Sequence, residues 1–132
     1  MNVIVDTSVW SRVLRYKRKP SIVNAEKMMR LIDEGRVVML GPIRQEILSG
    51  VKEKKQFNLL KKHLAAFPDH QIKTVDYEKA AEYFNTYRAK GIQGSNTDFL
   101  ICAVSVNNNF SIYTSDKDFT LFKKYLPIQL ED

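Results

Sequence analysis

Apolar positions along this chain follow two rhythms, and the points where one gives way to the other mark the predicted elements. Val3, Ile4 and Val5 form a short β-branched run of the kind a buried strand needs. It ends on Asp6, followed by Thr7 and Ser8, and Ser8 is placed to cap a helix carrying Val9, Trp10, Val13 and Leu14 at helical spacing. Trp10 reads as a core residue. A second helix is expected from Ser21, with Ala25, Met28, Met29 and Ile32 in one stripe and Gly35 as its C-terminal stop. Residues 37–40 read as the second strand. Gly41-Pro42 then opens a helix with proline in the first turn, Ile43 and Ile47 facing the core, and Gly50 ending it. Residues 51–67 form an amphipathic pattern, with Phe57, Leu60 and Leu64 inward and lysines outward.

Residues 72–75 are expected as a third strand, and Asp76 as the cap of a helix in which Ala80, Phe84 and Tyr87 share a face. Gly91 ends that helix, and a glycine-containing connector leads to the next one at residues 95–104. This last helix is apolar almost all round, which suits a position between layers and makes Asp98 in its first turn conspicuous. Residues 111–114 read as the fourth strand, ending near Asp116 and Asp118, with a short helix over 117–126 and a final short strand at 128–130. Strands alternating with helices predict a three-layer α/β/α fold with a central, mostly parallel sheet, occupying residues 1–132 as one domain.

Composition narrows the partners. The 132 residues carry 21 Lys+Arg against 15 Asp+Glu, a formal charge of +6 that favours polyanions through long-range steering. Arg12, Arg15, Lys17, Arg18 and Lys19 form a basic cluster, either a solvated helix end and loop or a set of phosphate contacts. Cys102 is the one cysteine, so no internal disulfide or thiolate zinc cluster can form. His63 and His70 lack metal-ligand spacing and read as surface residues. With no leader pattern and no apolar run long enough for a bilayer, a cytoplasmic protein without membrane association is expected.

The acids change the picture most. Asp6, Asp98 and Asp116 each fall just past a strand or at a helix start, Glu46 lies slightly further into its helix, and a parallel sheet would bring all four to one edge. At about 4 Å and an effective dielectric near 20, each like-charge pair costs on the order of 4 kcal/mol, so a cation or retained protons must offset the cluster. Oxygen-only ligands select hard Mg²⁺ or Mn²⁺ over zinc. A capping carboxylate is the simpler reading of Asp98 taken alone.

The segment Val5-Asp6-Thr7-Ser8-Val9-Trp10, the mid-chain Glu46, the block from Asp98 through Phe-Leu-Ile-Cys to Ala103, and the turn Thr114-Ser-Asp116-Lys-Asp118-Phe119 resemble the four acidic motifs of PIN-domain nucleases, in particular the VapC toxins. The resemblance covers the whole chain in order. It implies a PIN-like fold and a Mg²⁺-dependent (or Mn²⁺-dependent) endoribonuclease that is the toxin of a type II toxin-antitoxin pair, with RNA as substrate and a cognate antitoxin as protein partner; a homodimer is left open. Carried over residue by residue, Asp6 and Asp98 would be the principal metal ligands, with Glu46 and Asp116 completing the catalytic pocket and Thr7 and Thr114 orienting them. Asp118 could take the place of Asp116. Asn96 is either a hydrogen-bonder at the pocket rim or a helix cap. Other classes are an RNA-processing nuclease without antitoxin and a non-catalytic RNA-binding scaffold. A phosphoacceptor receiver would want paired acids after the first strand, and a dehalogenase-like phosphatase an Asp-x-Asp there, where Ser8 stands instead.

Overall fold

The computed structural model describes residues 1–14 and 22–132. Its elements run β1 (Val3–Val5), α1 (Thr7–Val13), α2 (Ile22–Asp33), β2 (Val37–Val38), α3 (Gly41–Ser49), α4 (Lys54–Leu64), α5 (Thr74–Ala89), α6 (Asn96–Asn108), β3 (Ser111–Tyr113), α7 (Asp118–Lys123) and β4 (Gln129–Leu130). The strands form one parallel sheet in the order β2-β1-β3-β4. Register is set by Val3 beside Val37 on one flank and by Val3, Ile4 and Val5 beside Ser111, Ile112 and Tyr113 on the other.

Successive side chains of a strand point to opposite faces, yet Val3, Ile4 and Val5 are all completely buried. Both faces of the sheet are therefore covered, as the contiguous β-branched run predicts, and the fold is the expected α/β/α sandwich. Chain order reverses at β1, which has β2 on one side and β3 on the other. The crevice beyond the carboxyl ends of β1 and β3 is thus the switch point where open α/β sheets bind ligands.

One predicted strand is absent. Residues 72–75 do not join the sheet; pairing in this region is limited to an isolated bridge between Met39 and Asp69. Asp76 decides the outcome, because its Oδ2 accepts the Lys73 N–H at 2.9 Å and turns the backbone into α5, so that Lys73 is the cap and Asp76 the third helical residue. Val75, which the strand pattern would have buried, is 58% exposed. The other oxygen of Asp76 accepts Asn107 Nδ2 at 2.7 Å and ties α5 to α6.

The α5–α6 hairpin closes over aromatic rings. Tyr87 is fully buried, stacks on Phe99 with centroids 5.4 Å apart, and donates its hydroxyl to the Phe122 carbonyl; burial pushes its pKa up to about 12. Gly94 abuts the same rings so tightly that a Cβ there would lie 2.8 Å from Phe122 Cζ and 2.8 Å from Phe99 Cε2. Gly94→Ala should therefore destabilise the fold by about 1–3 kcal/mol, measurable by urea denaturation, whereas an unchanged midpoint would mean the rings have room to move.

Candidate active site

Asp6 follows β1 directly, and its N–H donates to the Tyr113 carbonyl at 2.9 Å, extending the β1–β3 ladder by one rung and bringing Asp6 beside Thr114. It occupies the N-cap position of α1, where a carboxylate normally accepts helix N–H groups, yet it makes no such cap. Instead Oδ2 accepts two hydroxyls, Ser8 Oγ at 2.8 Å and Thr114 Oγ1 at 2.9 Å. Each hydroxyl is itself aimed by a backbone N–H, from Ser115 to Ser8 Oγ at 3.0 Å and from Asp116 to Thr114 Oγ1 at 3.0 Å. The expected capping by Ser8 is thus replaced by a positioning contact, because the neighbouring acid offers a charged acceptor and charge-assisted bonds are the stronger ones.

Thr7, at the start of α1, donates from Oγ1 to Glu46 Oε1 on α3 at 3.1 Å. Asp98 is the third residue of α6 and closes a reciprocal box with Ser95: its Oδ2 accepts the Ser95 N–H at 3.1 Å while its own N–H donates to Ser95 Oγ at 3.0 Å. Ser95, not Asn96, is the cap. Asn96 stands exposed at the first turn of α6, on a cleft shared with Tyr77, Ala81 and Leu100.

Electrostatics joins these residues into one group. Burial is the main force raising the Glu46 pKa; the Thr7 hydrogen bond opposes it, and the charges of Asp6 and Asp98 add to it. Asp98 is likewise raised mainly by burial, against its two bonds to Ser95, with Asp6 and Asp116 as its repelling neighbours. Asp118 contributes to neither shift; it is exposed, and its N–H donates to Asp116 Oδ1 at 2.9 Å. The structure therefore brings Asp6, Glu46, Asp98 and Asp116 together and leaves Asp118 at the periphery. Among the described residues no group of three or more His, Cys, Asp or Glu side chains is placed to hold a metal ion. Carboxylates whose charges raise the pKa values of Glu46 and Asp98, with oxygen as the one donor type, are chemically suited to a hard divalent ion. Cys102 is completely buried and its thiol pKa is pushed up, chiefly by that burial and further by Asp98 and Asp6, so it stays a protonated core residue. Arg12 is exposed in the last turn of α1; Arg15, Lys17, Arg18 and Lys19 lie outside the described residues.

Ser8 as an orienting group was not legible in sequence, although a hydroxyl two residues from a strand-end acid was a signal to weigh. If Ser8 and Thr114 fix the rotamer of Asp6, Ser8→Ala and Thr114→Val should each lower metal affinity about 10- to 100-fold, as outer-shell losses do. Titration calorimetry with Mn²⁺ measures this, and unchanged affinity would make the hydroxyls incidental.

A parallel α/β sandwich with acidic residues gathered at its topological switch point defines an α/β domain with a candidate site for a hard cation. The sequence matches the PIN domain over residues 3–125, and the chain belongs to that family. It is 28% identical over 131 residues to Ribonuclease VapC11 of Mycobacterium tuberculosis, with 96% of each chain covered, and equally similar to VapC ribonuclease Mb1587 of Mycobacterium bovis. In structure it resembles VapBC2 from Rickettsia felis bound to a promoter DNA fragment (TM-score 0.79, 18% identity, 99% of this chain and 98% of that one). It also resembles FitAcB from Neisseria gonorrhoeae (TM-score 0.78, 18% identity, 98% and 96%). VapC nucleases of the PIN family are generally divalent-metal dependent. Among the described residues no helix is long and apolar enough to cross a membrane.

Proposed function

We propose that this chain is a Mg²⁺- or Mn²⁺-dependent endoribonuclease, working in the cytoplasm as the toxin of a toxin-antitoxin pair and acting as a single domain over residues 1–132. The observation that carries this reading is the convergence of acids at the sheet's switch point, where the charges of Asp6 and Asp98 act on Glu46 and those of Asp6 and Asp116 act on Asp98, in a chain of the PIN family with VapC ribonucleases as relatives. Asp6 and Asp98 would hold the ion, with Glu46 and Asp116 completing the pocket directly or through water.

When bound, such an ion supplies Lewis acidity toward a phosphoryl oxygen and acidifies water, which permits in-line hydrolysis of a phosphodiester without a covalent enzyme adduct. The protein's part is positional. Ser8 and Thr114 hold Oδ2 of Asp6, Thr7 holds Oε1 of Glu46, and Ser95 holds Oδ2 of Asp98, so that the acids keep their arrangement without spending ligand energy on side-chain ordering. The net positive charge draws RNA to this acidic site.

A nuclease of this kind would harm its host unless restrained, so a small antitoxin encoded beside it would cover the RNA groove or set a basic side chain among the acids. Cleavage of single-stranded RNA should be lost in chelator and return on adding Mg²⁺ or Mn²⁺. Cleavage that persists in chelator would overturn the metal assignment. RNA binding without cleavage in Mg²⁺ would favour the scaffold reading. A chain that purifies alone from its native host, with no neighbour-encoded partner, would favour the processing nuclease.

A further inference from the structure

A second concavity lies where the α5–α6 hairpin turns, a cleft of about 360 Å³ between Phe84 and Arg88 of α5, Phe99 of α6 and the connecting residues 91–94. Its volume is within the range of sites that hold small molecules, about 300–1,000 Å³. The cleft is joined to the acids by covalent structure: Gly94, in its wall, precedes Ser95, whose N–H and Oγ hold Asp98. Its chemistry is mixed. Phe84, half-buried, meets the buried Phe99 edge to face at 5.8 Å and supplies the accessible aromatic wall. Glycine at 91 makes the turn at φ +75° and puts no side chain into the open space beside it. Gln93 is exposed and offers an amide donor and an amide acceptor. Arg88 is exposed, and among the described residues its guanidinium has no acidic partner.

We infer that this cleft receives one unpaired nucleobase of a single-stranded RNA, next to the nucleotide whose phosphate is presented to the acids. The inference rests on the nuclease reading for the placement of that phosphate, and on the cleft's own chemistry for the base. Unstacked bases are recognised by aromatic faces and guanidinium planes, with amides bonding their Watson–Crick edges, and this cleft combines those groups. A purely apolar protein side chain would cover Phe84 but leave Arg88 and Gln93 without partners.

The test uses the full chain in chelator, so that binding is read without cleavage, and short fluorescein-labelled single-stranded RNAs carrying an abasic ribose at each position in turn. The variant is the double substitution Arg88→Ala with Gln93→Ala; both side chains are exposed, so the fold should survive, and a thermal melt checks it. One abasic position should weaken binding to the parent protein about tenfold. The double variant should bind intact RNA more weakly, and the same abasic position should cost it clearly less than it costs the parent, since the Arg88 and Gln93 share of the base contact is already gone and only the aromatic share remains. If the two effects multiply, or if no single position matters, the base lies elsewhere and the inference is overturned. It is equally overturned if the variant keeps full RNA affinity and loses affinity only for a copurifying protein partner. Failure to cleave in Mg²⁺ with the base effect intact would count against the nuclease reading alone.

Discussion

Replacing Asp98 by Asn should lower RNA cleavage by a hundredfold or more at saturating Mg²⁺ while leaving the metal-free protein at least as heat-stable as the parent. The two halves follow from the two jobs that one side chain performs. As a member of the proposed cation site, Asp98 would contribute a charge that an amide cannot replace. As a helix residue, it accepts the Ser95 N–H through Oδ2, and an asparagine oxygen can still do that. The substitution therefore keeps the cap and removes a charge that burial, Asp6 and Asp116 make unfavourable. Asp98→Ala loses the charge and the cap together and should be less stable than Asp98→Asn by roughly 1 kcal/mol of capping energy.

The same shifts set a pH dependence. The pKa values of Asp98 and Glu46 are raised in the folded state, so between the unfolded and folded values the folded protein binds more protons, and stability falls as pH rises through that window. Metal-free protein should accordingly gain stability as pH drops from neutral toward the ordinary carboxylate range, and Asp98→Asn should flatten that gain. Melts of both proteins in chelator across this range decide it; a parent that only loses stability on acidification would show that the repulsion is unimportant.

Arg44→Ala should cost about 2–4 kcal/mol and lower the melting temperature by roughly 10 °C. Its guanidinium joins α3 to the end of α4 by donating from Nε to Asp69 Oδ1 at 2.9 Å, from Nη1 to the Leu64 carbonyl at 2.9 Å, and from Nη2 to the Phe67 carbonyl. Truncation leaves half-buried carbonyls without these donors and frees the helix that carries Glu46. Arg44→Lys should recover only part of the loss, because an ammonium cannot span the forked acceptors. A change below about 0.5 kcal/mol would mean that water substitutes fully for the guanidinium.

The central strand and the acids were legible because their signals are local and redundant. Val3 to Val5 is apolar at every position, so no choice of face could expose it, and a carboxylate immediately after such a run has little purpose in a core. Residues 72–75 misled because apolar Ile72 and Val75 flank polar residues in a strand-like way, while the decisive contact, Asp76 to the Lys73 N–H, is a competing local bond of the kind that begins helices. The end of α6 was underestimated for a similar reason: Asn109 takes the left-handed conformation at φ +56°, which asparagine tolerates, and the helix runs on to Asn108. The orientation of Asp6 was out of reach, since Thr114 is 108 residues away in sequence and meets it only through the β1–β3 pairing.

The central claim is that Asp6, Glu46, Asp98 and Asp116 form one cation site. Electron paramagnetic resonance of Mn²⁺ titrated into the parent, Asp6→Asn and Asp98→Asn proteins tests it most directly, because bound Mn²⁺ is read without any RNA or activity. The account predicts saturable binding to the parent that is weakened at least about tenfold in each variant and competed by Mg²⁺. Binding of equal strength in all three proteins would contradict it.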